Sequence, residues 1–170
     1  MRAGTEGLRT DVPVTLLYGD SERLKQRVLA KLAEGWLGDA DDEFARVTVD
    51  ADEVGIEGVL AELASGSLLA PQRLIIVRDV ATLSARKLKG RPNEQERLAE
   101  ALENLPPGVA VVLVARRVRS ERKRYGPPVG KRLQKTATER GQMLELSTPK
   151  GDALSRFLER EMQKSGKSMS

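Results

Sequence analysis

Cysteine and histidine are both missing from this 170-residue chain, and only 3% of its residues are aromatic. Without cysteine there is neither a disulfide framework nor a thiolate nucleophile, and without histidine the commonest metal ligand and general base are gone. Catalytic triads and zinc sites are excluded, so no catalytic residue is assigned and neither metal nor cofactor is expected. No run is long and apolar enough to cross a bilayer, and Met1 to Asp11 lacks the apolar stretch of a secretory signal. The expected setting is the cytoplasm, away from any membrane. Residues 1–11 read as a flexible tail, 12–164 as one domain that buries roughly 70% of its unfolded surface, and 165–170 as a polar tail or the start of a link to a further domain.

What is present is charge, unevenly spread. The formal net charge is +4, yet between Arg116 and Lys135 nine cations (Arg116, Arg117, Arg119, Arg122, Lys123, Arg124, Lys131, Arg132 and Lys135) face one carboxylate, Glu121. The rest of the chain is net acidic, so the basicity belongs to one segment. Such a segment suits phosphate or an acidic partner surface. Arg116, Arg117, Arg119, Arg122, Lys123 and Arg124 are therefore candidate DNA contacts, against the plain alternative of a solvated face. Tyr125 is the only aromatic among them, which leaves little for base stacking and makes any contact sequence-blind.

Apolar runs alternate with amphipathic ones along the chain. Val12 to Tyr18, Arg73 to Val77, Val109 to Ala115 and Met143 to Leu146 are short and almost wholly apolar, as in strands buried on both faces, and Glu43 to Val49 alternates around Phe44, Val47 and Val49. Between them the spacing predicts a helix capped by Asp20 or Ser21 with Leu24, Val28, Leu32 and Trp36 inward and Lys25 on the wet side. A weak, Gly55- and Gly58-containing helix from about Glu53 to Ser65 follows. Further helices are expected after Asn93, near Lys131 to Glu139, and from about Lys150 to Gln163. Thr82 to Pro92 is polar and basic and reads as a loop. Strand and helix in alternation argue for a five-stranded parallel sheet with helices on both faces.

Two stretches bear on function. In Gly66-Ser67-Leu68-Leu69-Ala70-Pro71-Gln72, Gly66 can cap the preceding helix and Pro71 cannot continue it. Two adjacent leucines on so short a break cannot both face one core. Leu68 and Leu69 are a candidate plug for another protein's pocket, or else they cover the helix end. The second stretch, Gly19 to Gln26, lies where a parallel sheet would bind phosphate. Against G-x-x-x-x-G-K-[ST] it keeps Gly19 and Lys25, but Leu24 replaces the second glycine and Gln26 the magnesium-binding hydroxyl. A side chain at 24 crowds the loop away from phosphates, glutamine is a poor metal ligand, and Asp20 and Glu22 add charge of the wrong sign. Val77-Arg78-Asp79-Val80 likewise offers one acid behind an arginine where an NTPase needs carboxylates.

Leu16-Leu17-Tyr18-Gly19-Asp20, Arg23-Leu24, Val49-Asp50-Ala51-Asp52, Ser67 to Arg78, and Val111 to Val114 before a basic stretch together resemble the N-terminal domain of the delta subunit of bacterial DNA polymerase III. The resemblance implies an AAA+ (RecA-like) P-loop NTPase-type fold without a working nucleotide site, in a clamp-loader subunit that is not an enzyme by itself. It implies that Ser67, Leu68, Leu69 and Ala70 grip the sliding clamp (the beta subunit) and help to open it for loading on primed DNA. Leu69 stands where the family usually has an aromatic. The other loader subunits would be met through C-terminal domains beyond this chain, and the working place would be the nucleoid at replication forks. Two other classes remain beside this one: a sequence-nonspecific nucleic-acid-binding module and a degenerate nucleotide-binding domain.

Overall fold

The computed structural model describes residues 8–65, 70–116 and 128–147. Strand β1 is Val14–Gly19, β2 Arg46–Asp50, β3 Arg73–Arg78, β4 Val109–Arg116 and β5 Gly141–Glu145; helix α1 is Glu22–Leu37, α2 Ala51–Ala64, α3 Glu94–Glu103 and α4 Lys131–Arg140. All four strand pairings are parallel, and the order across the sheet is β2-β3-β4-β1-β5. The expected five-stranded parallel sheet is therefore present. The helix expected from about Lys150 to Gln163 lies outside the described residues.

Each strand's alternation sends side chains to two separate cores. On one face Leu16, Ile75, Val77, Val111 and Leu113 pack under α2, α3 and α4, which contribute Ile56, Val59, Leu98, Leu102 and Leu133. On the other, Leu17, Leu74, Ile76, Val112 and Leu144 pack under α1 through Leu24, Val28, Leu32 and Leu37. Each core leucine or valine withdrawn from water contributes about 1.5–3 kcal/mol before entropy is charged against it. β1, β3 and β4 are buried along most of their length while β2 is half-exposed, as an edge strand must be.

Caps explain where the helices begin. Ser21 Oγ accepts from Leu24 N at 3.2 Å, Asp50 Oδ1 accepts from Asp52 N at 2.9 Å at the head of α2, and Asn93 forms a reciprocal capping box with Glu96. Gly55 breaks α2 with φ 68° and ψ −179°, a conformation other residues adopt only under strain.

Four expectations are corrected, the last of them, on Ala70, at the site below. Phe44 does not alternate into a core: it sits before β2 in a turn built by Asp42, whose Oδ1 accepts from Phe44 N and Ala45 N at 2.8 Å each, and it is 50% exposed. The tail reading of 1–11 is too long at its C-terminal end. Arg9 N donates to Gln142 Oε1 at 3.0 Å, Gln142 Nε2 donates to Arg9 O at 2.6 Å, and Thr10 packs on Gly35 of α1. Lys25 is the third, taken up below.

Candidate functional site

In a parallel sheet every loop that follows a strand lies at one edge and every loop that precedes one lies at the opposite edge. The segment between α2 and β3 therefore belongs to the edge where strands begin, and its two roots are fixed. Arg73, at the first position of β3, sends one nitrogen to Glu62 Oε1 and another to Ser65 Oγ, both at 2.7 Å, joining the start of β3 to the end of α2. Arg73 N also donates to Gly108 O at 2.9 Å, and Gly108, at φ 82°, lets the Pro71 carbonyl approach where a Cβ would block it. Arg73 is 8% exposed, so its charge is held among partners that satisfy it.

Of the four residues expected to meet a partner here, Ser67, Leu68 and Leu69 lie outside the described residues. Ala70 is described and corrects the expectation. It is 6% exposed and packs in the core on the α1 face, because its one methyl fits where the chain turns into the sheet. It anchors the C-terminal end of the loop. Sequence reasoning missed Arg73 and Glu62; the only sign of the pair was an arginine opening an apolar strand.

The opposite edge, where strands end, holds the residues of the phosphate-loop comparison. Only Asp20 and Ser21 stand between β1 and α1, so positions 24 and 25 are already helical and no loop remains to wrap an anion. The amides there are spent internally: Ser21 N on Leu146 O at 2.9 Å, Leu24 N on Ser21 Oγ, and Lys25 N on Ser21 O at 3.1 Å. Gly19, at φ 120°, lies against the Leu146 backbone. Leu24 is in the core and Gln26 is exposed.

Lys25 is not on the wet side. It is 2% exposed, its ammonium 3.2 Å from Glu22 Oε1 and 3.4 Å from Ala115 O. Near the N-terminus of α1 it lies toward the end of β4, and its long stem fills the space between helix and sheet while the ammonium finds oxygens at the rim. Beside it Asp79, in left-handed backbone at φ 53°, pairs with Arg116 Nε at 3.2 Å. Burial first, and Glu145 second, raise the Tyr18 phenol above its ordinary value. The lysine and the acid that a nucleotide and its magnesium would call on are thus engaged with the protein's own groups, and the residues present do not fit a triphosphate.

Of the candidate DNA contacts, Arg116 is exposed at the end of β4; Arg117, Arg119, Arg122, Lys123 and Arg124 lie outside the described residues. Arg132 pairs with Glu103 at 2.7 Å and Lys135 lies 3.9 Å from Glu139, so part of the counted basicity is neutralised on α4.

A parallel sheet in the order β2-β3-β4-β1-β5, flanked by helices, with a strand–turn–helix where a phosphate loop would stand, defines the AAA+-like class of P-loop NTPase-type folds. Solved structures agree. The Bacillus subtilis DNA clamp loader delta protein superposes with a TM-score of 0.66 at 19% identity, over 93% of this chain and 45% of that one. A DNA polymerase III gamma subunit-related protein from Thermotoga maritima superposes with a TM-score of 0.51 at 17% identity, over 91% and 52%. No curated protein matches in sequence. The profile of the DNA polymerase III delta subunit family matches residues 16–140, and the chain belongs to that family. It spans less than half the length of the Bacillus protein it resembles.

Proposed function

We propose that this domain is the clamp-gripping part of a replication clamp loader, with Leu68 and Leu69, presented beside Ser67, as the apolar plug. Family membership supports the role, and one structural observation carries the site. The residues that bracket 66–69 are fixed: Arg73 ties the start of β3 to Glu62 and Ser65 at the end of α2, and Ala70 is sunk in the core. A short connection between fixed ends costs little entropy to place in a partner, and each leucine buried in a foreign pocket contributes about 1.5–3 kcal/mol.

The action is mechanical. The domain binds a distorted clamp protomer more tightly than one in a closed ring, and open rings become more populated by that difference in affinity and no more. No residue of this chain is asked to perform chemistry, and ATP is left to other subunits of the loader. The run from Arg116 to Arg124 lies along the DNA backbone, and the work takes place in the bacterial cytoplasm at replication forks.

The test is capture of the cognate sliding clamp on immobilised protein. Leu68→Ala with Leu69→Ala should abolish capture while the circular dichroism spectrum and melting temperature stay nearly unchanged. Full capture by that double variant overturns the plug, and an unfolded double variant shows that the leucines belong to the domain's own core.

A further inference from the structure

β2 closes one side of the sheet: it pairs with β3 alone, and among the described residues no strand lies beyond it. Leu74 N donates to Ala45 O at 2.7 Å. The alternation of a parallel ladder that starts there gives the main-chain groups of Val47 and Val49 to β3 and turns those of Arg46, Thr48 and Asp50 outward. Arg46 N is taken by Asp42 O at 2.9 Å, so the outward row offers the N–H groups of Thr48 and Asp50 and the carbonyls of Arg46 and Thr48. Side chains alternate as well. Val47 and Val49 stand beside Ile75 and Val77 on the α2 face, while Arg46, Thr48 and Asp50 lie on the α1 face, with Arg46 and Thr48 exposed.

A free strand side is a hazard that proteins ordinarily blunt with proline, with repelling charges or with a cover. β2 has no proline, and its two charges are opposite in sign and equally far from its centre. Set antiparallel to a second copy about Thr48, the strand is complementary to itself: Arg46 faces Asp50, Val47 faces Val49 and Thr48 faces Thr48. The same register aligns the outward main-chain groups. The two Thr48 residues exchange N–H and C=O, and each Asp50 N meets Arg46 O of the other copy. The ionic contact has donors and acceptors to draw on, since Arg46 spends two N–H groups on Asp41 and Asp50 spends Oδ1 on Asp52 N at 2.9 Å. The ends fit too. Phe44 stands before the strand and Val54 in the first turn of α2, and they are the large apolar residues exposed among the described ones. Antiparallel pairing sets the start of one strand beside the end of the other, so each Phe44 is carried to the end where the second copy has Val54.

We propose that β2 is an interface between two copies of this chain, paired antiparallel about a two-fold axis at Thr48 into one continuous ten-stranded sheet. A foreign strand could satisfy the outward hydrogen bonds, but the charge pattern and the apolar ends single out the strand's own sequence. Five residues a side make a small interface, so association is weak, with a dissociation constant on the order of 0.1 mM. The edges where strands begin fall at opposite ends of this dimer, and the proposal does not rest on the plug.

Sedimentation equilibrium of the 170-residue chain from about 10 µM to about 1 mM tests it, the weight-average mass climbing from that of one chain toward that of two. Thr48→Lys puts like charges face to face at the axis, on an exposed position that leaves folding alone. It should weaken association at least about tenfold with the circular dichroism spectrum and melting temperature unchanged. Phe44→Ser should weaken it at least about threefold. Because the chain has no cysteine, Thr48→Cys reports the register. In an antiparallel hydrogen-bonded pair the two Cα atoms lie about 5.5 Å apart, within reach of a disulfide. Oxidation by copper phenanthroline should therefore cross-link this variant, while Thr138→Cys, exposed on α4, stays a single chain. Clamp capture should be the same for the parent and for Thr48→Lys, so that this interface and the plug stand or fall separately. The proposal is overturned if the chain stays monomeric at about 1 mM, an outcome that leaves this side of the sheet to a strand from another protein. It is overturned as well if Thr48→Lys associates as the parent does, or if Thr48→Cys cross-links no faster than Thr138→Cys.

Discussion

At the scale of single residues the decisive group is Lys25, whose side chain occupies the position of a phosphate-binding lysine and behaves as a structural strut. Its stem is sealed and its ammonium reaches Ala115 O, while Glu22 on its other side is 64% exposed and hydrates readily. Lys25→Ala should cost about 2–4 kcal/mol, from the cavity together with the missing hydrogen bond, and Lys25→Met less than half of that, read as urea midpoints. Equal losses in the two would show that the charge, and not the stem, carries the effect. Tyr18 offers a second test. Its phenol is raised above 10.0 by burial and by Glu145, so the folded chain holds that proton more tightly than the unfolded one. The stability this contributes is complete below pH ~10 and is lost as pH rises through the folded value. Tyr18→Phe should flatten the alkaline fall in urea midpoint above pH ~10, and an equally steep fall in the variant would assign the loss to other groups.

At the scale of elements, glycines decide where α2 breaks and how closely β5 approaches β1. Gly55 has open space where a Cβ would go, so Gly55→Ala meets no clash and its whole cost is backbone strain, about 1–3 kcal/mol. The φ of Gly141 lies outside the left-handed region, but a Cβ there would run into the carbonyl of Val14. Gly141→Ala should therefore cost about 3 kcal/mol or more by overpacking, despite the better intrinsic propensity of alanine. The two glycines separate by cause, backbone strain at 55 and collision with the Val14 backbone at 141, so the loss at 141 should be the larger of the two. Thermal melts of the two single variants measure this.

At the scale of the whole molecule the sheet has two unlike edges. The edge where strands begin carries the Arg73–Ser65 tie between β3 and α2; the edge where strands end carries the corner filled by Lys25, Asp79 and Arg116. Because that corner is satisfied by its own groups, about 1 mM ATP with magnesium should leave the melting temperature unchanged, whereas a ligand present at 100 times its dissociation constant would add about 2.7 kcal/mol. A clear upward shift that Lys25→Ala removes would restore a nucleotide-binding reading. The order of strands and helices along the chain, the unbroken apolar character of β3 and β4, and the absence of the second glycine and the hydroxyl from the phosphate loop were all legible in the residues, since each is a local pattern. Less legible was the anchoring of the break. Arg73 is a charged residue opening an apolar strand, and nothing near it in sequence shows that Glu62 and Ser65 will meet it.

Periodicity, caps and turn residues by themselves determined a parallel sheet with helices on both faces, because a side chain's direction follows from its place within its own helix or strand. Tertiary structure alone decided that Lys25 and Ala70 are buried, that Phe44 is not, and that Leu83 and Gly130 meet through Gln95. Those outcomes depend on which strands become neighbours, and inserting β4 and β1 between β3 and β5 brings together loop ends that no local pattern relates.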